Sequence, residues 1–219
     1  MAELTAPGAP RHRVKDGRVA AAVVGATALV VAGSAAQLID YAFFHLRIGV
    51  LDSSDDGGVF GVVGDLAVVS AAAGAWLLLI RSRSTVLTVA LPVLLTFLSI
   101  DKLLRLHDHI PRYLLVYFPV LAGTLVCVVG LCRRLPRSLA RLMTVGLVLL
   151  AGSFALHVFG EPLLQVMNSA HLEWLVQVKV TVKHGCEVEG WFLIAIALFF
   201  SASRVAEAGT RIPGASPGP

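Results

Sequence analysis

Charged residues are scarce in this sequence. Of 219 residues, 18 are Lys or Arg and 14 are Asp or Glu, while 57% are hydrophobic and the mean hydropathy is +0.81. Soluble domains contain about 25% charged and about 45–50% apolar residues. The composition therefore excludes an ordinary soluble globular protein and predicts an integral membrane protein.

Cysteine is also rare. The three cysteines, Cys127, Cys132 and Cys186, are odd in number and show no Cys-x-x-Cys spacing. A disulfide framework needs paired cysteines, and a thiolate zinc site needs closely spaced ones. We interpret all three as small apolar side chains that fill space between helices.

Six long apolar runs account for most of the chain. Each has about the 20 residues that a helix needs to cross the hydrocarbon core of a bilayer. The runs are Arg18 to Ile39, Gly58 to Ile80, Val86 to Leu106, Tyr113 to Leu131, Leu139 to Gly160 and Val180 to Ser201. They predict an all-α polytopic bundle of six transmembrane helices over residues 18–203, between a basic disordered tail (1–17) and a second disordered tail (204–219).

Basic residues predict the orientation of this bundle. If the amino terminus is cytoplasmic, twelve of the eighteen Lys and Arg residues fall in cytoplasmic segments. Because short cytoplasmic loops are enriched in Lys and Arg, both termini are predicted to be cytoplasmic, in the inner membrane of a bacterial cell. This bias accounts for the net charge of +4, and nothing in it indicates nucleic acid. Membrane lipids are the expected partners, and the oligomeric state is left open.

A cleaved signal peptide is an alternative for the first run. Basic residues from Arg11 to Arg18 precede an apolar stretch that reaches the small residues Ser34 to Ala36. The apolar run nevertheless continues to Ile39, which is long for a signal peptide. Cleavage would also leave five spans and break the match between spans and loop charges.

Acidic residues and histidines show the opposite distribution. Only three of the fourteen carboxylates and one of the seven histidines lie on the predicted cytoplasmic side. An ionisable group at membrane depth is costly unless it is paired or functional. We therefore expect a functional site in the outer leaflet.

Helical spacing predicts which of these groups lie together. At 100° per residue, Asp101 and Asp108 share a face of the third span, and His157 and Glu161 are neighbours on the fifth. On the sixth span, His184 lies one turn before Glu187, while Glu189 projects elsewhere. Asp65 lies about two turns inside the second span, and Gln37 with Asp40 closes the outer end of the first.

A metal centre is the first hypothesis for this set. Imidazole and carboxylate ligands suit zinc, iron or manganese, and helix bundles build metal sites from such pairs on facing helices. The predicted ligands of a divalent metal are Asp101, His107, His157, His184 and Glu187. The predicted acid/base or supporting residues are Asp65, Asp108 and Glu161. In this hypothesis the protein is a metal-dependent enzyme that acts on a lipid-like substrate.

Four alternatives remain open at this stage. The cluster could bind a small solute or a partner in a non-enzymatic membrane component. It could relay protons in a transporter, although no acid lies in the inner half of any span and no inverted repeat of broken helices is evident. It could form only internal pairs, such as Asp101 with Arg105 or Lys183 with Glu187. A serine hydrolase is the last alternative, and no nucleophile elbow supports it.

The segment between the last two spans has a pattern of its own. From Pro162 to Val178, apolar residues interleave with polar ones, which predicts an amphipathic helix on the outer surface. Such a helix could cover the polar cluster as a lid, or anchor the chain in the interface through Trp174.

Two short motifs resemble a group of uncharacterised bacterial multi-pass membrane proteins. Their "Leu-Asp-Glu … His-Glu" pattern is resembled by Ser99-Ile100-Asp101-Lys102 followed by Leu106-His107-Asp108. Their last span, "Glu-Glu-Gly-Leu-Glu-Met-Leu-Gly", is similar to His184-Gly185-Cys186-Glu187-Val188-Glu189-Gly190. Asp101, His107, Asp108 and Glu187 match polar positions of that pattern, whereas Lys183 and His184 replace acids. The resemblance implies a shared polar site and no particular reaction.

Overall fold

The computed structural model describes residues 13–45, 48, 58–82, 84–110, 112–167 and 172–210, and these residues form helices and no strand. The elements are α1 (Arg13–Ile39), which continues into a π-helix (Asp40–Phe44), α2 (Val59–Arg81), α3 (Val86–Leu104), the short α4 (Leu106–His109), α5 (Tyr113–Cys132), α6 (Arg137–Met167) and α7 (Leu172–Thr210). Residues 1–12 and 211–219, which include most of the predicted disordered tails, lie outside the described residues.

Six of these helices are long and apolar enough to cross a membrane. They are α1 with its π-helical extension, α2, α3, α5, α6 and α7. The prediction of an all-α bundle with six membrane-spanning helices is thereby confirmed. The side on which the termini lie stays a prediction.

The third span is shorter than predicted. α3 ends at Leu104, and Arg105 adopts a left-handed conformation with φ 51° and ψ 44° before α4 begins. A non-glycine residue with positive φ is uncommon and redirects the chain. The prediction that Asp101 and Asp108 share a face assumed one continuous helix through both residues, and that helix is interrupted at Arg105.

The predicted surface helix from Pro162 to Val178 is wrong. α6 continues through Pro162 to Met167, and α7 begins at Leu172. The segment is thus divided between the ends of two membrane-spanning helices, and the ring of Trp174 lies 5.5 Å from that of Tyr41 in the π-helix. A one-sided apolar pattern has the same period in a packed helix end and in a surface helix, so the pattern alone could not separate them.

α7 is the central helix of the bundle. It packs against α1, α2 and α6. α3 packs against both α2 and α5, and α5 packs against α6, so that α7, α2, α3, α5 and α6 form a closed ring. α1 packs mainly on α7, at the outside of this ring. The fully buried side chains of the ring include Leu91, Leu95, Val128, Leu139, Met143, Ile194 and Leu198.

Small residues set the closest helix contacts. A Cβ built on Gly146 of α6 would lie 2.7 Å from the carbonyl oxygen of Gly190 in α7, and one built on Gly190 would lie 2.8 Å from the oxygen of Gly146. Between α2 and α7, a Cβ on Gly74 would lie 3.0 Å from the Cβ of Leu198. Close backbone approach through small residues is typical of helices that associate in lipid.

Candidate functional site

The end of the bundle where α1 ends and α2 begins, here called the polar end, contains most of the described acidic groups. The opposite end carries exposed arginines, with Arg133 and Arg134 in the α5–α6 loop and Arg137 at the start of α6. Among the described residues, the polar half of the bundle includes the three polar contacts and the buried polar pair that follow. Each involves a different pair of elements.

The first contact is an ion pair between α3 and α7. Lys102 Nζ donates to Glu187 Oε1 at 2.7 Å, and the two side chains are 30% and 21% exposed. The lysine stem passes the backbone of α2 at Gly64, where a built Cβ would lie 4.0 Å from Lys102 Cε. Lys183 and His184, on the turn of α7 before Glu187, also interact electrostatically with this carboxylate. The neighbourhood of Glu187 thus contains two ammonium groups and one imidazole.

The second contact joins α3 to α5. The carboxylate of Asp101 interacts with the hydroxyl of Tyr117, and both residues are 7% exposed. The ring of Tyr117 packs against those of Phe97 and Tyr113, at centroid distances of 5.8 and 5.9 Å. Asp101 therefore faces α5, whereas Glu187 is paired with α3 from α7.

The third contact joins α1 to α7. Thr27 Oγ1 donates to Glu189 Oε1 at 2.7 Å. The other carboxylate oxygen of Glu189 is buried, and no hydrogen-bond partner for it is present in the described part of the chain. Glu189 therefore projects toward α1, away from the Lys102–Glu187 pair, as its helical position predicted.

The buried polar pair lies at the end of α1. Gln37 and Asp40 are both 0% exposed. Asp40 Oδ1 accepts a hydrogen bond from the Ile48 backbone N–H at 3.3 Å. Both polar atoms of the Gln37 amide and Asp40 Oδ2 are buried, and no partner for them occurs among residues 13–45, 58–82, 84–110, 112–167 and 172–210.

The predicted ligands are brought together only in part. His184 and Glu187 lie near each other and near Lys102, whereas Asp101 contacts Tyr117 and His157 is exposed on α6. Among the side chains that the structure describes, no three His, Cys, Asp or Glu residues form a group that could hold a metal ion. The single pocket predicted for Asp101, His157, His184 and Glu187 is therefore not supported by these contacts.

Four of the predicted residues have a more limited outcome. Asp65 is half-buried on α2 and has interactions of its own. The side chains of His107, Asp108 and Glu161 lie outside the described residues. The metal-centre hypothesis, which used all four, stays a prediction.

Lys102 and Tyr117 are the functional candidates that sequence reasoning missed. Lys102 directly follows Asp101 near the end of an apolar span, where a lysine can extend to the lipid headgroups without any protein partner. The opposite charge that it meets is 85 positions away in the chain. The only sequence signal for the pair was the presence of both charges at a similar depth in their spans.

Comparison with known proteins gives the family of the chain. A family model described as "Domain of unknown function (DUF8692)" matches residues 18–202. The match covers most of the chain and all six membrane-spanning helices apart from a few terminal residues, so the chain belongs to this family. No curated protein and no solved structure matches the sequence.

Proposed function

We propose that this protein is a non-enzymatic, multi-pass membrane component that binds the anionic group of a small solute or lipid headgroup at its polar end. The observation that supports this proposal is the Lys102–Glu187 ion pair, with Lys183 and His184 beside it. The group of charges around Glu187 contains one carboxylate and two ammonium groups, and a third cation forms whenever His184 is protonated.

Partial exposure makes the pair accessible. The Lys102 side chain is 30% exposed, so an anion can approach its ammonium group without complete separation of the ion pair. Lysine provides three N–H donors and binds phosphate or carboxylate as a point charge. The low dielectric of a membrane interior strengthens such an interaction relative to water. A phosphate or carboxylate group is thus the ligand chemistry that this charge arrangement favours.

The metal-dependent enzyme is a weaker hypothesis for the same residues. Glu187 already accepts the Lys102 ammonium at 2.7 Å, and this cation, together with Lys183, would repel a divalent metal at that carboxylate. For a metal to bind, Lys102 would have to leave Glu187. An enzyme acting on a lipid-like substrate would also need an acid or base near the metal, and Asp101 is engaged by Tyr117.

A binding experiment on the intact protein tests the proposal and separates the two sources of the anion. The full-length protein is reconstituted in phosphatidylcholine nanodiscs, and its unfolding temperature is measured against inorganic phosphate at constant ionic strength. A second series replaces part of the phosphatidylcholine by phosphatidylglycerol. A ligand at about 100 times its Kd stabilises the folded state by about 2.7 kcal/mol, which is readily detected.

The expected result is a saturable rise of the unfolding temperature in one of the two series, lost in Lys102→Gln. Lys179→Gln is the matched control, because Lys179 lies on α7 with its stem packed over Gly160 of α6. A rise with phosphate identifies a solute, and a rise only with phosphatidylglycerol identifies a lipid. No rise in either series, or an equal loss in both lysine variants, would overturn the proposal.

A further inference from the structure

Gln37 and Asp40 form a polar pair that the proposed anion site does not use. They lie one helical turn apart on the side of α1 that is turned toward the protein, and both are fully buried. Positions 27 and 34 of α1 and position 41 of the π-helix contact α7: Thr27 meets Glu189, Ser34 Oγ lies beside Gly185, and the ring of Tyr41 lies 5.5 Å from that of Trp174. Gln37 lies between these contacts, in the interface.

Burial of these groups without hydrogen-bond partners among the described residues is costly. A buried polar atom that lacks a hydrogen bond costs about 1–3 kcal/mol, and an isolated buried carboxylate costs more. Three such atoms occur here within one turn: Gln37 Nε2, Gln37 Oε1 and Asp40 Oδ2. Two apolar residues at positions 37 and 40 would avoid this cost. We therefore expect the polar pair to bind a ligand.

The backbone at this point is also unusual. Asp40 is the first residue of a five-residue π-helix, which ends at His45 in a left-handed conformation whose N–H bonds to the Asp40 carbonyl oxygen. Single π-helical turns are rare and occur frequently at functional sites. Irregular backbone at membrane depth is tolerated where it is buried in protein, and in transporters such segments coordinate cations.

We propose that Gln37 and Asp40 bind a desolvated monovalent alkali cation, with Na⁺ as the first choice. The Asp40 carboxylate and the Gln37 amide oxygen are hard oxygen ligands of the kind that such cations take. Their combined charge of −1 balances one monovalent ion, whereas Ca²⁺ and Mg²⁺ would leave a net positive charge in a buried site. The complete burial of both side chains favours a single small ion over an organic cation.

This site is separate from the ion pair of Lys102 and Glu187 and has the opposite ligand preference. The Asp40 carboxylate is held at the end of α1 by the Ile48 N–H, whereas the ion pair lies between α3 and α7. The two proposals can therefore fail independently.

The stability of the wild-type protein in different salts provides the test. The full-length protein in phosphatidylcholine nanodiscs is unfolded thermally in NaCl, KCl or choline chloride, at constant chloride and ionic strength and without phosphate. We expect the unfolding temperature to rise saturably with Na⁺ at the expense of choline, with a smaller effect of K⁺. This measurement needs no variant and is unaffected by the anion site.

Two variants locate the response. Gln37→Met keeps the side-chain volume and removes the amide oxygen, so we expect about tenfold weaker Na⁺ binding, which corresponds to 1.4 kcal/mol. Asp40→Asn removes the charge and should abolish the response. Asp101→Asn is the matched control, because it neutralises a buried carboxylate of α3 that contacts Tyr117. It should leave the Na⁺ response unchanged.

Two results would overturn this inference. Equal stability of the wild type in Na⁺, K⁺ and choline would mean that water, and not a cation, satisfies the polar atoms. A Na⁺ response that persists unchanged in Gln37→Met would place the cation elsewhere, even if Asp40→Asn fails to fold.

Discussion

The ion pair between Lys102 and Glu187 allows a quantitative test of the fold. Removal of one member of a fully buried pair costs about 3–5 kcal/mol, because the remaining charge is left without compensation. Here the side chains are 30% and 21% exposed, and solvent screens part of that cost. We expect Lys102→Met or Glu187→Gln to lower the free energy of unfolding by about 1–3 kcal/mol each.

The double variant is more informative than either single one. With both charges removed, neither member of the Lys102–Glu187 pair is left without the other, so Lys102→Met with Glu187→Gln should be more stable than the sum of the single effects predicts. The expected coupling energy is about 1–2 kcal/mol, within the range found for residues in direct contact. Unfolding in mixed micelles of increasing denaturing detergent, followed by circular dichroism, measures the four free energies.

A second cycle controls for effects of charge on α7 in general. It replaces Lys102→Met by Lys179→Met, since Lys179 packs on α6 at Gly160. Its coupling with Glu187→Gln should be under about 0.5 kcal/mol, as for sites without shared partners. If the first cycle gives no more coupling than the second, the ion pair does not form in the membrane and the proposed anion site loses its basis.

Three further outcomes are expected. Gly190→Ala should destabilise the protein by about 1–3 kcal/mol, because its Cβ would lie 2.8 Å from a backbone oxygen of α6. A Cβ on Gly152 would have nothing within 4 Å, so Gly152→Ala should be neutral or stabilise the protein by up to about 1 kcal/mol in the same unfolding assay. If the α5–α6 loop is cytoplasmic, Ser138→Cys in a cysteine-free background should react with an impermeant thiol reagent only in inverted membrane vesicles. Labelling in intact cells would show that the orientation is opposite to the predicted one. Elemental analysis should find zinc, iron and manganese well below one atom per chain. A stoichiometric metal that is lost on combining His184→Ala with Glu187→Ala would instead establish the metal centre.

Sequence reasoning located the spans well because hydropathy is a local property. The predicted run from Val86 ended two residues beyond the observed end of α3, and the run from Arg18 began within α1. What hydropathy does not encode is backbone conformation at single residues. Arg105 has an ordinary helix-forming side chain, yet its φ of 51° ends α3 and separates Asp101 from Asp108.

The site was harder to predict because its contacts join distant parts of the chain. Helical spacing correctly placed His184 near Glu187, since both lie on one helix. The partners Lys102 and Tyr117 are chosen by which helices pack together, and spacing within one helix contains no such information. Matched depth of polar residues therefore indicated that a polar region exists, without indicating which groups meet.

The position of α1 on the outside of the ring has a consequence for biogenesis. Its main packing partner, α7, is synthesised about 150 residues after Gln37. At about 5–20 residues per second, this delay lasts roughly 7–30 s. Throughout that interval the buried face of α1 has no α7 to cover it, so Gln37 and Asp40 reach their buried state only after α7 has been inserted.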